Sequence, residues 1–146
     1  MINDNFKITG ALSIALNGEV VKEVPNTVVL SGKEFVASRM LGTTASVMSG
    51  MAIGTGSTAV DSANDTTLGT EDDRQTLTSS AIDATDDNKV VYTATFGAGD
   101  GSGAITEAGI FNNDTSGGTM LCRTVFPVVN KGANDSMTIT WTITVS

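Results

Sequence analysis

The chain has 146 residues, 8 lysines and arginines against 16 aspartates and glutamates, one cysteine and no histidine, giving a formal net charge of -8. That charge repels a phosphate backbone, so no direct nucleic acid contact is expected; a lone cysteine excludes an internal disulfide, and the lack of histidine excludes Cys/His zinc modules and Ser-His-Asp or Cys-His nucleophiles. The length fits a single β domain over 1–146 that buries about 68–70% of its unfolded surface, Asn3, Asp4 and Asn5 stand where a signal peptide needs basic then apolar residues, and no run nears the roughly 20 apolar residues of a membrane span; synthesis in a reducing cytoplasm is expected, with no membrane partner.

From the N-terminus, Phe6, Ile8, Gly10, Leu12, Ile14 and Leu16 share one face of an alternating run, with Lys7, Thr9 and Ser13 on the other. That period is a strand's. Residues 1–7 form a candidate N-terminal contact arm with Ile2 and Phe6 as its apolar anchors, unless those two side chains simply begin the first core strand. Asn17-Gly18 signals a type I′ hairpin, whose two central residues both need positive φ. Val20, Val21 and Val24 form the returning strand, ended by Pro25. Ser31-Gly32-Lys33-Glu34 has capping-box spacing before Phe35, Val36, Met40 and Leu41, which predicts one short helix over Lys33 to Leu41 with Gly42 as its C-terminal cap.

Val47 to Ile53 reads as a strand of small residues, and a long polar connection begins at Gly54. Arg74 to Ile82 and Lys89 to Phe96 read as paired strands joined by an acidic turn, Asp83 to Asn88, and Gly97 to Gly103 as a further turn. Ile105 to Phe111, Thr119 to Val129 and the C-terminal segment complete about eight strands. Ser136 to Ser146 alternates strictly, with Met137, Ile139, Trp141, Ile143 and Val145 on one side and Thr138, Thr140, Thr142 and Thr144 on the other. Trp141, the only tryptophan, is thereby assigned to the core as its anchor. The fold class is mainly β, an antiparallel β-sandwich or jelly-roll-like domain with one short helix.

No catalytic set emerges. Cys122, between Leu121 and Arg123, reads as a small strand residue. Gly54-Thr55-Gly56 and Gly97-Ala98-Gly99 lack the Gly-Lys-Ser/Thr ending and helix of a phosphate loop and read as turns. The carboxylates Glu71, Asp72 and Asp73, and Asp83, Asp86 and Asp87, offer hard oxygen ligands, but no EF-hand spacing is present, so solvated acidic turns are expected and no metal or cofactor is assigned. The threonine row resembles an ice-binding face, yet it occurs once rather than as an array, and β propensity accounts for it. A carbohydrate platform would need exposed aromatics; with Trp141 in the core, only Tyr92 is left as a candidate.

Two segments carry a family resemblance: MAIGTGSTAVDSANDTTLGTEDDR from Met51, and ITEAGIFNNDTSGGTMLCRTVFPVVNKGANDSMTITWTITVS from Ile105. Together they resemble small structural proteins of tailed bacteriophages, of the capsid decoration (cement) or tail type. The resemblance implies a protein without catalysis, a homotrimer that adds contact area to a shell or tail. The expectation drawn from it is a cement protein on the outer capsid surface of the virion, bound to the major capsid protein and stabilising the shell. A tail, baseplate or fibre component is the alternative, followed by a carbohydrate-binding module.

Overall fold

The computed structural model describes residues 5–43 and 45–146. Nine strands and one helix follow in the order β1 (Ile8–Leu16), β2 (Glu19–Val28), α1 (Leu30–Arg39), β3 (Gly50–Gly54), β4 (Glu71–Thr76), β5 (Ser79–Ile82), β6 (Lys89–Phe96), β7 (Gly103–Phe111), β8 (Met120–Lys131) and β9 (Met137–Val145). All strand pairs are antiparallel, in the spatial order β4-β3-β7-β8-β2-β1-β9-β6-β5. No described helix is long and apolar enough to cross a membrane.

The sheet curls on itself because β2 serves two partners. Gly10 to Leu16 of β1 pair with Glu19 to Asn26, whereas Thr27 and Val28 pair with Arg123 and Cys122 of β8. Pro25 was expected to end this strand, but it lies within β2. The Thr124 hydroxyl donates to the Pro25 carbonyl at 3.0 Å, so this residue's backbone edge faces β8, where the ladder has stopped and a missing N–H costs no rung. The inward faces of the two halves meet in one core. Leu12, Ile14, Phe96, Ile139 and Trp141 from one half pack with Met51, Ile53, Ile105, Ile110 and Phe126 from the other. The result is a β-sandwich-like domain.

The Asn17-Gly18 turn forms as its chemistry requires, with φ of 51° and 84°. The helix differs from expectation. It starts at Leu30, Val29 is its N-cap, and no side chain caps it. Ser31 instead donates its hydroxyl to the Met120 carbonyl at 2.8 Å, and a Cβ on Gly32 would lie 2.0 Å from the Leu121 carbonyl oxygen. Contact with β8, rather than a capping box, sets where α1 begins. The expected strand over Arg74 to Ile82 divides in two: β4 pairs with β3 while β5 pairs with β6, so the chain crosses between the halves at Leu77-Thr78.

Candidate assembly surface

One half carries a second covering on its outside. Alternation along β7 and β8 puts Glu107, Gly109 and Phe111 on the outer face beside Arg123, which sits opposite Gly109. The polar connection after Gly54 folds over them, and Leu68 and Val60 pack with Val29, Ala52, Phe111 and Met120 in a small separate core. Glu107 is fully buried. Its carboxylate accepts the amides of Gly56, Gly69 and Thr70 at 2.9, 2.9 and 2.7 Å and two N–H bonds from Arg123. Arg123 also reaches Asp65 at 2.7 Å and the Thr58 carbonyl at 3.0 Å. Burial alone would raise the Glu107 carboxyl, but the amides of Thr70 and Gly69 and the Arg123 guanidinium outweigh it and hold the group below its ordinary 4.5.

The glycines of Gly54-Thr55-Gly56 thus do line an anion, the protein's own. A Cβ on Gly56 would lie 2.4 Å from Glu107 Oε1, and one on Gly54 would lie 2.2 Å from the Thr70 carbonyl oxygen. Nearby, the Arg74 guanidinium stacks 3.8 Å from the centre of the Phe111 ring and holds Glu71 at 2.6 and 2.9 Å. Both arginines are therefore committed to internal structure. The sequence reading missed Glu107 and Arg123, although each stands among the apolar residues of its strand, where a charge that goes inside must be paired.

Among the described residues, nothing covers the outer face of the other half in this way. By register, Thr9, Ala11, Ser13 and Ala15 of β1 lie beside Thr144, Thr142, Thr140 and Thr138 of β9, and these beside Lys89, Val91, Thr93 and Thr95 of β6. Most of these small side chains are half-buried by one another.

At one end of this half, α1 and the start of β1 enclose an apolar groove of about 480 Å³, lined by Phe6, Ile8, Val36, Ala37 and Met40 and flanked by Lys7 and Lys33. Phe6 is 67% exposed and Met40 85%. Phe6 precedes β1 and does not begin a core strand; Lys7 continues the β1–β9 ladder through bonds to Ser146 of 2.6 and 2.8 Å. Ile2, the other anchor of the expected arm, lies outside the described residues.

The remaining sequence candidates fall elsewhere. Trp141 is fully buried, and so is Cys122, whose thiol is pushed well above its ordinary value by burial. Tyr92 packs against the core, which removes it as a sugar platform. Asp83 accepts the amides of Thr85 and Asp86, and Asp86 holds Lys89 at 2.6 Å. No group of three or more metal-ligating side chains occurs among the described residues.

The described residues thus present one covered half, a hydroxyl face and an apolar groove at one end. The family model of the phage tail-collar fibre protein, N-terminal, matches residues 24–146. The chain belongs to this family. It is accordingly a structural protein of the phage virion. The tail-collar fibre match begins inside β2 and takes in the whole network around Glu107, together with α1 and the C-terminal strand. No curated protein and no solved structure matches the chain. The bacteriophage and virion expectations hold, while the expected capsid decoration role finds no support: the family is one of tail fibres.

Proposed function

We propose that this protein is a non-enzymatic component of the tail, which joins a collar or fibre assembly through its surfaces and acts by contact area rather than chemistry. The observation that carries this reading is the tail-collar fibre match over residues 24–146. The fold agrees with it. Glu107, Arg123, Arg74 and Lys131 spend their charge inside the molecule, Lys131 through bonds to the Gly97 and Gly101 carbonyls at 2.9 and 3.0 Å. The surfaces of the described residues include a hydroxyl face and an apolar groove, which suit protein neighbours. Three copies per assembly follow from the resemblance to trimeric virion proteins.

Gold-labelled antibody against the chain, viewed on intact virions, tests the location. Label confined to the tail in few copies per particle is expected. Uniform label over the head, in hundreds of copies, would overturn the tail reading and restore capsid decoration.

A further inference from the structure

The groove between α1 and β1 has a complement on the same molecule. Of the chain's 8 lysines and arginines, Arg123 and Lys131 are buried, whereas Lys7 and Lys33 flank the groove and Arg39 lies on the same helix. A chain of net charge -8 thus presents a basic rim around an apolar floor. The β5–β6 hairpin is its opposite. The turn carries Asp83, Asp86 and Asp87, and at its base Ile82 is 56% exposed on an edge strand. We propose that the acidic β5–β6 hairpin of one copy docks in the apolar, lysine-flanked groove of the next, with Ile82 against Phe6 and Met40 and Asp87, beside the Asp86–Lys89 pair, against Lys7 and Lys33.

Position favours this contact between copies. Asn88 exchanges two bonds of 2.9 Å with Val145, and Lys7 pairs with Ser146, so hairpin and groove sit at one end of the same half, separated by the last residues of β9. A rotation axis passing beside that end carries each hairpin toward a neighbour's groove. Because the two surfaces differ, the contact is head-to-tail, which gives a ring when the rotation between copies closes and a filament when it does not; the three-copy expectation selects the ring. Opposite charges also steer the encounter, while a contact of groove to groove or turn to turn would set like charges together. The proposal rests on the tail reading for its expectation of several copies side by side. Virion labelling tests the location and solution mass tests the contact, so either can fail alone.

The test is sedimentation of the full chain over a concentration series at low and high salt. The wild type is expected to form a discrete ring of three copies whose association weakens as salt rises. Lys33→Glu, Asp87→Lys and Met40→Asp should each weaken association by about tenfold or more while the thermal midpoint of the dilute, dissociated chain stays unchanged, and Lys33→Glu combined with Asp87→Lys should recover the association. A wild type that stays monomeric throughout, single variants that associate like the wild type, or a double variant no better than either single one would each overturn the proposal.

Discussion

Glu107 and Arg123 meet across β7 and β8 with two bonds to one carboxylate oxygen, at 2.8 and 3.1 Å, and neither is exposed to solvent by more than 2%. Such a pair is costly to desolvate, and it persists because three backbone amides, Asp65 and the Thr58 carbonyl satisfy what the two side chains leave open. The bonds run to the 55–70 connection, so the pair fastens that connection to the sheet.

Removing either partner is therefore predicted to be costly, and removing both to cost less than the two losses added. Glu107→Ala leaves a buried guanidinium and should lower stability by about 3–5 kcal/mol, at about 2–4 °C per kcal/mol for a chain of this size. The double variant Glu107→Leu with Arg123→Met should lose less than the sum of the singles. Denaturant melts of the four proteins give the coupling energy, and limited proteolysis should show cleavage within 55–70 first in the single variants.

The same carboxylate sets an acid response. Its folded pKa is depressed, so its contribution is complete above about 4.5, its ordinary value, and is lost as pH falls through the lowered folded value. Asp61 and Asp83, held below their ordinary 3.8 by hydrogen bonds within their own turns, and Asp135, held below it first by the Asn17 amide, act in the same direction at still lower pH. Thermal midpoints measured from pH 7 to pH 3 should stay level, then drop below about 4.5. Glu107→Gln should start lower and lose the upper part of that drop.

Gly32 is predicted to be irreplaceable for docking α1. A methyl there would overlap the Leu121 carbonyl even though alanine is the better helix former, so Gly32→Ala should destabilise by about 1–3 kcal/mol. Amide exchange in α1 and in the β8 residues beneath it should quicken. A gain in stability would show that propensity outweighs the contact.

Adjacent residues of β9 should answer differently to an exchange between an apolar branch and a hydroxyl. Ile139 is fully buried and Thr140 stands on the hydroxyl face. Ile139→Thr should cost about 1–3 kcal/mol by burying an unpaired hydroxyl, while Thr140→Val should stay within about 0.5 kcal/mol. Fluorescence of Trp141, the only tryptophan and fully buried, reports both unfolding curves.

The sequence by itself determined what depends on neighbours along the chain. The alternation from Ile8 to Leu16 and from Met137 to Val145, and the Asn17-Gly18 turn, were legible because a strand's period of two and a turn's positive φ are local properties. Only the tertiary structure decided which elements meet. That β4 and β5 join different halves, that α1 starts where β8 receives it, that Phe6 turns outward to line a groove and that Glu107 finds Arg123 and the amides of a distant connection all rest on pairings across long stretches of chain. Periodicity tells which face of a strand is buried; it carries no information about what lies across from it.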